Sequence, residues 1–187
     1  MEKNLTSLGA EHAGIDGLAM YDASFVRAPD TIALKSAVFS HGGPLPVRAT
    51  SDDEGLSPPL EWSGVPDRAL QLVLIVEDAD SQTAAPLVHA IAWDLPFDHC
   101  TLDAGELNAS DDASDLHTPM GQSASRGPTY MPPSPPVGDG RHRYFFQIFA
   151  LDRRLPLSGE PARAEVLDAM RGHVLAVGSL VGTYERH

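Results

Sequence analysis

Apolar residues concentrate in three runs, "ALQLVLIVE" (69–77), "LVHAIAWDLP" (87–96) and "RYFFQIFALD" (143–152). All are rich in β-branched or aromatic residues and short for helices, which predicts strands, the first of them central in a two-layer core. Upstream, "TIALKSAVFS" (31–40) alternates apolar and polar positions and predicts a half-buried strand. "HGGPLP" predicts a turn and "SDDEGLSPPLEWSGVPD" (51–67) a long loop broken by Pro and Gly. Residues 98–127 are polar, acidic and small, an expected loop excursion, and "TYMPPSPPVGDG" is too crowded with proline to pair as a strand. "SGEPARAEVLDAMRGH" (158–173) predicts the one helix: Pro161 suits its first turn, Ala162, Val166 and Met170 share a face, and Gly172 closes it. "VLAVGSLVGTY" (174–184) finishes as a strand or an irregular extended segment. Strands dominate, so the expected class is mainly β: a sandwich of antiparallel sheets with a helix near the C-terminus. The expected division is an N-terminal arm over 1–30 and a single sandwich domain over 31–187.

Composition narrows the function classes. A chain of 187 residues with 42% hydrophobic and 21% charged residues is ordinary globular material and can bury one sizeable core. Its net charge of −13 repels phosphate backbones, which argues against a nucleic-acid partner and disfavours acidic membranes. A local pocket can still hold an anion against that field. Cys100 is the only cysteine, so no internal disulfide forms. The N-terminal stretch lacks a signal-peptide core, and no apolar run reaches membrane-spanning length. The expectation is a soluble, cytoplasmic protein. The sequon Asn108-Ala109-Ser110 is read as a chance match.

Candidate chemistry gathers where strands meet loops. Asp78 and Asp80 follow the first apolar run, and alternation puts them on one side of an extended backbone. Two close carboxylates can bind a metal, share a proton or orient a histidine, and a solvated acidic turn is the plain alternative. His89 lies nine residues after Asp80 within "PLVHAIAW". It reads either as a core histidine satisfied by a backbone carbonyl or as a partner of the aspartates, whose charge would favour the cation. At "DGRHRYFF", His142 and Tyr144 face one way and Arg143 the other. No G-x-S-x-G, P-loop or H-E-x-x-H occurs, and the other histidines lack zinc-ligand spacing. No cofactor or metal is expected.

The order of these pieces resembles the phosphatidylethanolamine-binding protein family, in particular its bacterial, Raf kinase inhibitor-like branch. The carrying stretches are "SPPLEWSGVP", "EDAD", "APLVHAIAWDLP" and "GDGRHRYFFQIFAL", over about Ile32 to Tyr184. The resemblance implies a Greek-key β-sandwich with a small anion pocket at one end. It maps the family's D-x-D onto Asp78 and Asp80, its pocket histidine onto His89, and its H-R-Y onto His142, Arg143 and Tyr144. Two departures stand out. The family's D-P-D-A-P reads "DADSQ" here, without its prolines at Ala79 and Gln82. The Gly-Pro pair before H-R-Y becomes Pro132-Pro133, which removes a backbone donor at Pro132 and leaves Pro133 as the pocket proline.

The leading expectation is non-enzymatic binding of a phosphorylated or carboxylated small molecule, such as a phospholipid head group, at Asp78, Asp80, His89, Pro133, His142 and Tyr144. The aspartates would hold His89 in its tautomer or as a cation. Two alternatives stay open. One is a regulator that contacts a kinase or protease through the pocket rim, as family members do. The other is a hydrolase using Asp78 and Asp80 as an acid–base pair or as ligands of a divalent ion. Bacterial members can form dimers, so a homodimer is suggested by analogy.

Overall fold

The computed structural model describes residues 14–95, 97, 100–108, 118–125 and 127–187. Residues 1–13 of the arm, Pro96, most of the sequon and much of the 98–127 excursion lie outside the described residues. In chain order the strands are β1 (Ala33–Lys35), β2 (Leu60–Ser63), β3 (Gln71–Asp78), β4 (Leu87–Leu95), β5 (Thr101–Leu102), β6 (His142–Leu151) and β7 (Val174–Tyr184). Among the described residues one α-helix, α1 (Arg163–Met170), precedes β7. They form a three-stranded sheet ordered β1-β2-β5 and a four-stranded sheet ordered β4-β3-β6-β7. The pairings between these strands are antiparallel.

The apolar runs are continuous because the larger sheet is covered on both faces. From β3, Leu72, Leu74 and Val76 pack towards the smaller sheet with Trp62, Phe146 and Ile148. Val73 and Ile75 pack on the opposite face with Phe25, Phe149, Val166 and Met170. That outer layer is supplied by residues 14–30 and by α1. Gly178 shows how closely the layers meet: a Cβ there would run into the Ile32 carbonyl oxygen.

Glu77 ties the outer layer to the sheet. Its side chain is fully buried and accepts hydrogen bonds from the Ala19 amide (2.8 Å), Gln147 Nε2 (2.8 Å) and Arg163 Nε (2.5 Å). A buried carboxylate is stable only with such a set of donors. Arg163 also donates to the Gly17 carbonyl, and Gln147 accepts from the Met20 amide.

Several elements differ from the sequence expectation. The strand expected over 31–40 shortens to Ala33–Lys35. β2 lies inside the expected 51–67 loop, and β5 inside the 98–127 excursion. Both pair only within the small sheet, where four or fewer residues leave little periodicity to read. The helix is eight residues long rather than sixteen. Its first turn is fixed by the Glu165 carboxylate accepting from the Ala162 amide, and it ends before Gly172, which has φ 76°.

Candidate functional site

The site sits at one end of the larger sheet, where strand register places each side chain. Asp78, the last residue of β3, lies opposite Tyr144 of β6. His142 begins β6, two residues before Tyr144, and so projects from the same face. His89 arrives by a less regular route. Val76 pairs with Ala90 and Glu77 with Val88, so the register slips by one and His89 is the extra residue of a β-bulge. In an unbroken ladder His89 would oppose Glu77 and point into the outer layer with it. The bulge turns its ring to the other face, edge-on to Tyr144, with ring centroids 5.1 Å apart and planes at 89°.

Together these residues line a cavity of about 380 Å³. The proline-rich loop roofs it through Met131, Pro132, Ser134, Pro135 and Pro136, and Ser81, Gln82 and Thr83 form the facing rim. Asp78, His89, His142 and Tyr144 are all 3% exposed or less.

The two histidines differ in charge. His142 Nδ1 lies 2.8 Å from Asp78 Oδ2, and its Nε2 lies 3.0 Å from Asp139 Oδ2. Carboxylates only accept, so the doubly protonated ring satisfies both contacts. Burial opposes that charge, but the hydrogen bonds and charges of Asp78 and then Asp139 outweigh it, and the His142 pKa is raised. His89 is the reverse case. Burial lowers its pKa, against smaller opposing contributions from its bond to Met131 and the Asp78 charge, with His142 adding a small lowering effect. Its Nδ1 is 2.6 Å from the Met131 carbonyl, which can only accept, so Nδ1 carries the hydrogen. His89 Nε2 is left as a buried lone pair without a partner among the described residues. The Tyr144 hydroxyl meets no acceptor at full hydrogen-bonding geometry among the described residues, although the Asp78 carboxylate lies close enough to act on it as an acceptor. Its pKa is raised, first by burial and then by the neighbouring Asp78 carboxylate.

Comparison with known proteins agrees with this architecture. A family model described as phosphatidylethanolamine-binding protein matches residues 35–185. The chain belongs to the phosphatidylethanolamine-binding protein family. It is 39% identical over 158 residues to a UPF0098 protein of Methanothermobacter thermautotrophicus, covering 82% of this chain and 98% of that protein. A UPF0098 protein of Chlamydia muridarum is 35% identical over 157 residues, with the same coverages of 82% and 98%. These relatives place it in the family's bacterial and archaeal branch. Among solved structures, a phosphatidylethanolamine-binding protein homologue from Chlamydia trachomatis superposes with TM-score 0.75 at 34% identity. That match covers 84% of this chain and 99% of the other. Escherichia coli YbcL shares the fold, with TM-score 0.77 at 21% identity over 84% of this chain and 99% of its own.

Within this phosphatidylethanolamine-binding protein fold, the site residues expected from sequence divide into two groups. Asp78, His89, His142 and Tyr144 line the cavity, whereas Asp80 and Pro133 do not. β3 ends at Asp78, so strand alternation does not carry Asp80 to the same side. Its carboxylate instead forks onto Arg143 at 2.7 and 2.8 Å and accepts the Arg143 amide at 2.8 Å. Burial raises the Asp80 pKa, but Arg143 more than reverses this and the net shift is downward. Asp78 and Asp80 therefore serve different cations and do not face a common reacting centre. Pro133 turns its carbonyl to the Ser51 amide, and of the Pro132-Pro133 pair it is Pro132 that lines the cavity.

The expected link between the aspartates and His89 is also corrected. A backbone carbonyl fixes the His89 tautomer, and the carboxylate of Asp78 holds His142. The missing prolines of "DADSQ" are replaced by other constraints. The Asp80 amide donates to Asp78 Oδ1 at 2.8 Å, and Ser81 Oγ donates to the Asp78 carbonyl at 3.3 Å. Ala79 supplies an amide that donates to the Arg143 carbonyl at 3.1 Å, a bond that proline at this position could not make. Sequence reasoning missed Asp139 and Met131. The available signal for Asp139 was an acid between two glycines, three residues before His142 in "GDGRH". Met131 acts through its backbone, donating to the His89 carbonyl at 2.7 Å, and its side-chain identity carries no such signal.

Proposed function

We propose that this cavity binds a small phosphorylated or carboxylated ligand without chemically transforming it. The carrying observation is His89 Nε2, a buried polar atom without a partner among the described residues, on a ring that lines one cavity with Tyr144. Leaving it unpaired costs about 1–3 kcal/mol, so a ligand that satisfies it gains specific affinity. Tyr144 supplies a hydroxyl, and beside it His142 carries a positive charge held between the Asp78 and Asp139 carboxylates. The aspartates do not form an acid–base pair, because Asp78 is engaged by His142 and Asp80 by Arg143.

A phospholipid head group and a free phosphorylated metabolite would present the same chemistry. Calorimetric titration with inorganic phosphate and with phosphoethanolamine at pH 6, beside flotation with phosphatidylethanolamine vesicles, separates these sources. Binding that disappears in His142→Ala, with its fold checked by circular dichroism, is the expected result. Absence of binding to all three probes would overturn the reading.

A rim-mediated contact with a protein such as a kinase or protease is the second reading. It is supported by Val137, which is 65% exposed on the loop beside the cavity mouth. Capture of a defined partner by His142→Ala as efficiently as by the wild type would favour it.

A further inference from the structure

We propose that the pocket takes its anion in a proton-bearing form, with a ligand hydroxyl donating to His89 Nε2. Its preferred class is hydrogen phosphate or the monoanion of a phosphate monoester, in preference to sulfate. This inference rests on the anion-binding reading above and adds the rule by which one anion is chosen over another.

The argument is a count of donors and acceptors around one cavity. His89 Nδ1 is committed to the Met131 carbonyl at 2.6 Å, so the neutral ring presents only a lone pair at Nε2. Asp78 and Asp139 also line the cavity and add carboxylate acceptors. Against these acceptors stand the Tyr144 hydroxyl and the Nε2–H of His142, the latter already directed at Asp139. At the rim and roof, the side chains of Ser81, Gln82, Thr83 and Ser134 can donate to an anion's oxygens but leave the His89 lone pair unmet. A fully deprotonated tetrahedral anion brings only acceptors and would set an oxygen lone pair against that of His89. Hydrogen phosphate brings the missing donor: its P–O–H points to His89 Nε2 while another oxygen accepts from Tyr144. No proton need be transferred.

The alternative is to protonate His89, and its surroundings resist this. The ring is 2% exposed in the fold, and Tyr144 packs against it edge-on. Of the charged groups around it, Asp78 at the end of β3 favours the cation, and the imidazolium of His142 on β6 opposes it. Asp139, across the cavity, has one carboxylate oxygen on His142 and the other 2.5 Å from Gln82 Nε2.

At pH 8 hydrogen phosphate and sulfate are both tetrahedral dianions, and the chief difference between them is one hydrogen. Charge and shape are therefore matched, and their affinity ratio reads the His89 contact. Titration calorimetry of the wild-type protein at equal ionic strength should show phosphate binding about 10- to 100-fold tighter than sulfate, the expected loss for one buried acceptor left unpaired. In parallel, long-range ¹H–¹⁵N spectra of the histidine rings should show His89 with a bare Nε2 both before and after phosphate addition. Equal affinities, or a doubly protonated His89 in the complex, would overturn the proposal while leaving anion binding intact. Binding of neither anion at pH 6 or pH 8 would instead remove the anion-binding reading, and this inference with it.

Discussion

Replacing Asp78 with asparagine tests the electrostatic centre of the site while leaving its volume nearly unchanged. In the wild type, Asp78 accepts from His142 Nδ1 and from the Asp80 amide, each at 2.8 Å. The paired Asp78 and His142 side chains are 5% and 4% exposed. Asparagine can accept one of these bonds through its oxygen, but its NH₂ then faces the other donor. His142 can escape that conflict by giving up its Nδ1 proton and keeping the Nε2–H directed at Asp139. The cost at pH 6 is therefore capped below that of an unpaired buried charge, about 3–5 kcal/mol, and should fall at about 2–3 kcal/mol.

Linkage gives the sign of the pH dependence. The folded-state pKa of His142 is raised above its ordinary 6.5. Its contribution is fully present below 6.5 and is lost as pH rises through the folded value. The stability gap between wild type and Asp78→Asn should thus narrow between pH 6 and pH 9, towards about 1 kcal/mol for an uncharged hydrogen bond. Urea unfolding followed by circular dichroism at both pH values, with unchanged m, measures the gap. A gap that stays constant or widens at pH 9, or a variant as stable as the wild type at pH 6, would refute the assignment of His142 as a carboxylate-held cation.

Two further substitutions separate scaffold from site. Arg163→Ala removes the cation from fully buried Glu77 but leaves the Gln147 and Ala19 donors. Because Arg163 is itself 26% exposed, it should cost about 2–4 kcal/mol in the same urea assay, and a loss under 1 kcal/mol would show that the neutral donors suffice. Asp80→Ala breaks the fork to Arg143, whose side chain is 44% exposed. After allowance for solvent screening it should cost about 1 kcal/mol or less and leave phosphate affinity in calorimetry unchanged, whereas lost binding would place Asp80 in the pocket after all.

Much of the architecture was legible because local composition and long-range burial agree. β3, β4 and β6 were readable as dense apolar runs because a sheet covered on both faces requires apolar residues at successive positions. Asp78, His142 and Tyr144 were readable as well. The first ends such a run, and the other two are spaced two apart at the start of another. β2 and β5 were hidden because strands of four and two residues carry almost no pattern, and their pairing in the small sheet defines them. Asp80 was misplaced because alternation was extended one turn beyond the strand's end.

By itself, the sequence determined that the three dense apolar runs become strands, that a helix falls within 158–173, and which ionisable side chains stand at the ends of those runs. These follow from side-chain chemistry over a few neighbouring residues. Tertiary structure alone decided which partner each ionisable group would meet. The one-residue slip between β3 and β4 turns His89 from the Glu77 face to the cavity, and residues 42 positions away, at Met131, set its tautomer. The Gly138–Gly140 turn brings Asp139 onto the histidine that Asp78, 64 positions upstream, already holds. Register and loop closure are properties of the assembled sheet, so the charge of each histidine is settled only when the distant strands have paired.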